Sequence, residues 1–375
     1  MSANSLIIAT SALVGLALSP EKQLATLPLA LMFLSGTAIT MPASLLMKYI
    51  GRRSGFIIGL LIGIIGAVFC TFAIISGSFT GFCLGACLIG ICNGFGAYYR
   101  FAAADVSTEA FRSRAISLVL AGGVVAAFIG PNLANLTKDW IASALFAGGY
   151  VSIAILYAIN IGVLMFSRLP RPAEGEAHGA SRPLAEIIQQ PVFIVAVLGG
   201  MISYGTMNVV MTATPLAMQT HGHLFSDTAL VIQWHLLGMF VPSFFTGHLI
   251  KKFGIPQVMI AGAISLLLCT LVNLSGTDVV FFWIALVLLG VGWNFLFIGS
   301  TTLLTHTYAL AEKAKTQGIN DFIVFGTVSI TALTSGWLHH WFGWQMINWG
   351  AIPVILIAFS AAVWLRLNPA RKAFA

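Results

Sequence analysis

The chain has 375 residues, of which 58% are hydrophobic and 8% are charged. Because ordinary globular domains carry about 25% charged residues, this composition excludes a water-soluble enzyme, a nucleic-acid-binding protein and a disordered regulator. The net charge is +7, and in so apolar a chain a basic excess predicts contact with anionic membrane lipid. The five cysteines lie within apolar runs, and their odd number argues against a disulfide framework.

Long apolar runs separated by short polar breaks predict an all-α membrane protein with twelve spans. Their length, without alternation of period two, favours helices over the strands of a β-barrel. In chain order the predicted spans cover residues 3–19, 23–47, 54–75, 79–102, 115–137, 143–166, 191–218, 226–249, 255–274, 278–304, 316–338 and 344–366.

The first span is short, because its apolar run from Ser5 to Ser19 has 15 residues and about 20 are needed to cross a bilayer. We therefore hypothesise that part of the first helix is missing from this chain. Mass spectrometry of the native N-terminus tests that hypothesis, and a native protein that begins at Met1 would contradict it.

Positive charges collect on one side of the predicted membrane. With the N-terminus in the cytoplasm, 15 of the 18 Lys and Arg residues fall on the cytoplasmic side, and only Lys22 and Lys138 fall outside. The positive-inside rule therefore predicts a multi-pass protein of a bacterial inner membrane with both termini in the cytoplasm.

The longest polar stretch divides the spans into two sets of six. We predict an N-terminal half at 1–166, a cytoplasmic linker at 167–190 and a C-terminal half at 191–375. The halves also echo each other, since Lys48 and Gly51 correspond to Lys251 and Gly254, 203 residues later in both cases. Such internal symmetry is typical of secondary transporters with a binding site near the bilayer midplane.

The loop after the second span runs from Ser44 to Arg53 and contains Lys48 and Gly51. With this loop, the chain resembles the major facilitator superfamily over essentially its whole length. The resemblance implies two six-helix halves around a central cavity that rock against each other. Ser44 and Lys48 stand where the family motif has Gly and Asp, which puts the usual aspartate latch in doubt.

Sulfur and imidazole side chains recur at helical spacing in spans seven and eight. Met207, Met211 and Met218 share one face of span seven, and His235 and Met239 form an i, i+4 pair in span eight. Both pairs lie roughly 10–20 Å below the predicted outer surface. Soft thioether and imidazole ligands suit copper, and a histidine inside a span indicates function. The plainer interpretation is that methionine fills irregular gaps in the core.

These motifs, together with the stretches Arg100–Asp105 and Ala121–Pro131, resemble those of the CcoA-like copper transporters. That resemblance implies import of copper into the cytoplasm for assembly of a haem–copper cytochrome oxidase. It also implies a cytoplasmic copper chaperone as partner, no resident cofactor, and copper bound by Met207, Met211, His235 and Met239.

Other side chains are weaker candidates, each with a plainer structural interpretation as loop, helix packing or helix-end hydrogen bonding. The weaker candidate metal ligands are His221, His223, Cys83, Cys87 and Met218. The candidate carriers of coupling protons are Arg100, Asp105 and Asp321.

Three other functions stay open at this point. The same branch of the superfamily contains a riboflavin importer, and Tyr98, Tyr99, Trp234 and Trp293 could stack on a flat ring. A proton-coupled exporter is indicated by a partial bend motif at Gly122, Gly123, Gly130 and Pro131. A non-transporting sensor is disfavoured because the chain has no appended signalling domain. Phosphate-loop, zinc-quartet and nucleophile-elbow motifs are absent from the sequence, so we do not expect an enzyme.

Overall fold

A computed structural model describes residues 1–99, 102, 109–167, 182–309 and 312–368. This part of the chain is helical and contains no β-strand. The helices of the first half are α1 (Ser2–Leu18), α2 (Leu27–Ile50), α3 (Arg52–Ile75), α4 (Phe79–Gly96), α5 (Glu109–Thr137) and α6 (Ala147–Phe166). Those of the second half are α7 (Pro191–Thr220), α8 (Phe225–Phe240), α9 (Ser243–Phe253), α10 (Ile255–Ser275), α11 (Val279–Leu304) and α12 (Lys313–Leu367). One-turn helices lie at Lys22–Leu24, Leu184–Ile188 and Thr305–Thr307.

Length and composition make this a multi-pass membrane protein. Within the described residues, eight helices are long and apolar enough to cross a bilayer, and the bent pair α8 and α9 makes a ninth. Helix α1 is apolar but shorter, at 17 residues. The prediction of an all-α membrane protein is confirmed.

Of the five described glycines with positive φ, three separate helical segments directly, without an intervening loop. Gly51, with φ 87°, ends α2 and begins α3, and Gly254, with φ 90°, does the same between α9 and α10. Their common conformation gives the sequence echo a structural counterpart in the two halves. Gly343, with φ 72°, interrupts the 55-residue α12. It divides α12 into a first arm (313–342) and a second arm (344–367), which match predicted spans eleven and twelve.

Two helices differ from the predicted spans. Span eight bends by 42° between α8 and α9, because Pro242 follows Val241 there and proline cannot donate a backbone hydrogen bond. Helix α4 ends at Gly96, six residues before the predicted end of the fourth span. Arg100 and Asp105, expected near its inner end, lie outside the described residues.

The buried apolar side chains form two clusters that follow the two halves. One comprises residues between 3 and 164 and includes Leu216 of α7. The other comprises residues between 187 and 365 and includes Ala9 and Ala127 of the first half. The halves meet where α1 packs on α7, α2 on α12, and α5 on α8. The linker boundaries at 167–190 fall largely outside the described residues and stay a prediction.

Candidate functional site

The two halves are joined by neutral hydrogen bonds near their predicted outer ends. The hydroxyl of Thr26, at the start of α2, accepts from the backbone N–H of Gly336 at 3.0 Å and donates to the carbonyl of Leu333 at 3.4 Å. Close by, the Trp341 indole N–H donates to the Gln23 side chain at 3.2 Å. These contacts fix the first arm of α12 against α2.

A second junction joins α5 and the turn before α6 to α8. The Asn132 amide donates to the Gln233 side chain at 2.6 Å, and the rings of Phe146 and Phe225 meet edge to face with centroids 4.8 Å apart. A cavity of about 410 Å³ lies at this level, lined by residues of both halves that include Val14. The halves are therefore closed together on this side.

Large apolar side chains are exposed at the opposite ends of the helices. On α2, Met41 is 72% exposed and Tyr49 is 77% exposed. On α9, beyond the bend in span eight, Phe244 is 57% exposed. Leu136, at the predicted outer end of α5, is also 72% exposed, as expected for apolar side chains that face lipid.

An aromatic cluster lies at mid-depth in the second half. Its members are Tyr204 of α7, Trp293 and Phe297 of α11, and Phe325 of the first arm of α12. The Tyr204 ring meets the other three edge to face, at centroid distances of 5.2, 5.1 and 5.8 Å. Trp293 and Phe297 stack with an angle of 14° and centroids 5.1 Å apart. The cluster thus combines one parallel pair with perpendicular rings, both of which are preferred geometries of aromatic pairs.

Helical phase places two members of this aromatic cluster, Tyr204 and Phe325, toward the first half. Phe325 lies eleven residues before Gly336, and Tyr204 lies eleven residues before Pro215. Eleven residues are close to three turns, so members of each pair lie on nearly the same face, about 20° apart. Gly336 contacts α2, and Pro215 lines the cavity at the junction with α1. At mid-depth, Tyr204 and Phe325 therefore face the space between the halves.

A larger crevice of about 500 Å³ lies between α7 and the two arms of α12. Its hydroxyls are turned to their own helix, since Thr327 donates to the Ile323 carbonyl and Thr331 to the Thr327 carbonyl, both at 2.8 Å. The remaining lining is apolar and includes Met346, which is 54% exposed. A polar solute would find almost no hydrogen-bond partners there, so this crevice is a poor substrate site.

The side chains of the predicted copper site are buried in the second half. Met207, Met211, Met239 and His235 are at most 6% exposed. The Nδ1 atom of His235 lies 2.9 Å from the Leu286 carbonyl on α11, so in that contact Nδ1 carries the proton. Its Nε2 atom has no hydrogen-bond partner among the described residues.

Helix α8 packs mainly against α11 and α5, and its contacts with α7 are few. The short turn between the two helices was the basis for predicting that the Met207–Met211 pair faces the His235–Met239 pair. A short turn sets where two helices begin and end but leaves their sides free to pack on other partners. Coordination of one ion by the side chains of both helices stays a prediction.

The weaker candidates occupy separate places. His221 Nδ1 contacts the Ala217 carbonyl and His223 Nε2 contacts the Thr277 carbonyl, both at 2.7 Å. Met218 is fully buried in the core of the second half, Cys83 is buried, Cys87 is half-buried and Asp321 is exposed. All five cysteines are free thiols. Across the described part of the chain, no group of three or more His, Cys, Asp or Glu side chains could hold a metal ion.

Of the four aromatic residues proposed for ring stacking, only Trp293 belongs to the aromatic cluster. The Tyr98 hydroxyl donates to the Thr40 carbonyl at 3.0 Å, Tyr99 packs on Phe56, and Trp234 meets Trp283 edge to face. Sequence reasoning missed Tyr204, Phe297 and Phe325. The i, i+4 spacing of Trp293 and Phe297 was a signal for one side of the cluster.

The family model described as Major Facilitator Superfamily matches residues 1–320 and 196–374. The chain belongs to the major facilitator superfamily. It is 42% identical over 366 residues to "Riboflavin transporter RfnT" of Brucella anthropi, an alignment that covers 97% of this chain and 92% of that protein. Two Bacillus subtilis relatives are described as uncharacterized MFS-type transporters. YdeG is 30% identical over 80% of this chain and 74% of its own, and YddS is 28% identical over 95% and 86%.

The match to a riboflavin transporter over nearly the whole chain corrects the main prediction from sequence. Import of copper, inferred from resemblance to the copper branch, is wrong. Met-x3-Met and His-x3-Met spacings have a second origin, because flexible thioethers also fill irregular gaps between buried helices. The expectation of a copper chaperone depended on copper import and is carried no further.

Proposed function

We propose that this protein imports riboflavin, or a flavin of very similar structure, as a secondary transporter of the bacterial inner membrane. The observation that carries the proposal is 42% identity to a riboflavin transporter over 97% of the chain. The aromatic cluster supports it, since Tyr204 and Phe325 of this cluster face the space between the halves. Transport of this kind leaves the solute chemically unchanged, so the protein acts as a carrier rather than an enzyme.

The proposed orientation places both termini in the cytoplasm. The distribution of 15 against two positive charges supports it. With this orientation, the described conformation has its two halves joined on the outer side, so its outer entrance is closed. Import requires a second state in which the outer junctions have separated.

Uptake by a bacterium that neither makes nor imports riboflavin tests the proposal. Cells that express this protein should grow on low riboflavin and accumulate the labelled vitamin, while cells with the empty vector should not. Excess unlabelled riboflavin should compete, and copper salts should not. Net efflux of riboflavin from preloaded cells, or growth equal to that with the empty vector, would contradict import.

A further inference from the structure

We infer that the aromatic cluster of Tyr204, Trp293, Phe297 and Phe325 is the subsite that binds the flat ring system of the transported flavin. The inference rests on the proposed function and adds the residues that recognise the substrate. A flavin has a rigid, planar, three-ring part and a flexible polyol chain. The ring is best bound by aromatic faces, which add stacking to the burial of apolar area.

The rings of the cluster are arranged to accept such a partner. Trp293 and Phe297 lie nearly parallel, at 14°, so a third flat ring can extend their stack. Tyr204 stands at 85° to Trp293 and 82° to Phe297, and Phe325 stands at 67° to Tyr204. Perpendicular rings of this kind direct their edges toward the borders of a stacked ring.

Three of the four rings in the cluster are partly exposed. Tyr204, Phe297 and Phe325 are half-buried, although most of α7 around Tyr204 is buried. Tyr204 is the fourteenth of the 30 residues of α7, which places it about 20 Å from the inner end of that helix. The midplane between two repeats is where secondary transporters bind their solutes, and this depth agrees with it.

The aromatic cluster contains an unpaired polar atom. Trp293 is 7% exposed, and its indole N–H has no hydrogen-bond partner among the described residues. A buried indole N–H normally has an acceptor. The flavin ring carries carbonyl oxygens and ring nitrogens that accept hydrogen bonds, so a bound ring can supply the missing acceptor.

The position of Tyr204 is fixed by the next turn of α7. The amide of Asn208, which is 1% exposed, donates to the Val328 carbonyl at 2.9 Å and to the Thr331 hydroxyl at 3.1 Å. These bonds tie α7 to the first arm of α12, which carries Phe325. The rings from the two helices are therefore held at a fixed separation, as a preorganised site requires.

Riboflavin binding and counterflow by purified protein in liposomes test the inference. Tyr204→Leu and Phe325→Leu each remove a ring, and should raise both Kd and KM by roughly 5- to 100-fold, as loss of one stacking partner does for nucleic-acid bases. Tyr204→Phe keeps the ring and should restore affinity to within about threefold. Quenching of flavin fluorescence on binding should weaken in the two Leu variants and return in Tyr204→Phe.

Two further experiments distinguish the contribution of the flavin ring to binding from that of the Trp293 N–H. Lumiflavin, which has the ring but no polyol chain, should compete with riboflavin, while ribitol should not. Trp293→Phe keeps an aromatic face and removes the N–H, so it should weaken binding by about fivefold or more. The matched control is Trp349→Leu, since Trp349 is 56% exposed on the second arm of α12 and its loss should leave Kd unchanged.

The outcomes distinguish failure of the proposed function from failure of the proposed subsite. If the wild-type protein neither binds nor carries riboflavin, the proposed function falls and the subsite falls with it. If the wild-type protein carries riboflavin and the two Leu variants fold but keep its KM and quenching, the function stands and the subsite is overturned. An unchanged Kd for Trp293→Phe would show that the indole N–H does not donate a hydrogen bond to the bound flavin.

Discussion

Single polar side chains hold the second half together where its backbone is interrupted. Asn294 of α11 is fully buried. Its amide donates to the Met239 carbonyl and to the Ser243 hydroxyl, both at 2.6 Å, and its carbonyl accepts from Thr246 at 2.6 Å. All three partners flank the bend between α8 and α9, so Asn294 provides hydrogen bonds that the broken helix cannot make within itself.

Replacement of this asparagine tests that role. Asn294→Leu leaves a buried carbonyl and two hydroxyls with fewer partners, and should destabilise the protein by roughly 1–3 kcal/mol. Thermal unfolding of the purified protein in detergent measures the change. The control is Thr302→Val on the same helix, whose hydroxyl donates only to the Ile298 carbonyl one turn away. Equal melting temperatures for the two variants would contradict the role of Asn294.

An ion pair on the predicted cytoplasmic side couples the end of the linker to the start of α12. The Arg182 guanidinium donates to both carboxylate oxygens of Glu312, at 2.8 and 2.7 Å. Glu312 is 1% exposed and also accepts from the backbone N–H of Ala309. The Arg182 hydrogen bonds, followed by that of Ala309, hold the pKa of the Glu312 carboxyl well below its usual range.

This lowered pKa predicts a defined pH dependence. Because the folded protein favours ionised Glu312, the pair stabilises fully above the ordinary carboxyl pKa of about 4.5. The stabilisation is lost as the pH falls through that value toward the lowered one. Arg182→Gln should therefore lower the melting temperature at pH 7 and have a smaller effect near pH 4. Lys251→Gln, which removes an exposed cation, is the control, and parallel curves for Arg182→Gln and wild type would exclude the coupling.

At the scale of helices, the sequence was a good guide to where spans lie and a poor guide to how they break. Apolar runs set span positions because the bilayer requires about 20 apolar residues per crossing, and Gly51 and Gly254 marked real turns. The bend at Pro242 was missed because neighbouring apolar residues continue through it. Hydropathy measures how favourable it is to transfer a side chain from water to lipid. It does not show whether a backbone hydrogen bond of the helix is broken.

A close approach between the halves depends on one glycine in α12. A Cβ atom on Gly336 would lie 2.7 Å from the Thr26 hydroxyl oxygen and 3.2 Å from the Thr26 backbone nitrogen. Helix α2 would have to move away, and the hydrogen bond from the Gly336 N–H would lengthen. Since alternating access depends on the balance between closed and open outer ends, Gly336→Ala should shift the protein toward the state that is open outside.

Spin-label distances measure this shift, with one label at the outer end of α2 and one at the outer end of the first arm of α12. The Gly336→Ala protein should populate a longer distance than wild type. Gly350→Ala serves as the control, because a Cβ atom there meets nothing within 4 Å. The same distance distribution in all three proteins would show that this contact does not hold the outer side closed.

At the scale of the whole molecule, the fold could be predicted and the cargo could not. Charge bias, span number and the repeat all follow from the physics of a lipid solvent, which acts along the entire chain. The binding site depends on side chains that meet from α7, α11 and α12, and such contacts follow tertiary packing rather than spacing within one segment. Met207 and His235 were singled out because methionine sulfur is a soft metal ligand and histidine is rare inside a membrane span. Tyr204 and Phe325, in contrast, resembled ordinary core residues.

The positive charges predict the orientation of the whole molecule, and the orientation determines on which side of the membrane the joined ends of the halves lie. Tyr49, at the inner end of α2, and Leu224, in the turn before α8, are 77% and 71% exposed. In a variant whose five cysteines are replaced by Ala or Ser, one new cysteine is placed at each position in turn. A membrane-impermeant thiol reagent added to intact cells should label Leu224→Cys and leave Tyr49→Cys unlabelled until the cells are opened. Because the halves are joined beside residue 224, the reverse labelling pattern would place that junction on the cytoplasmic side and would contradict the proposed orientation.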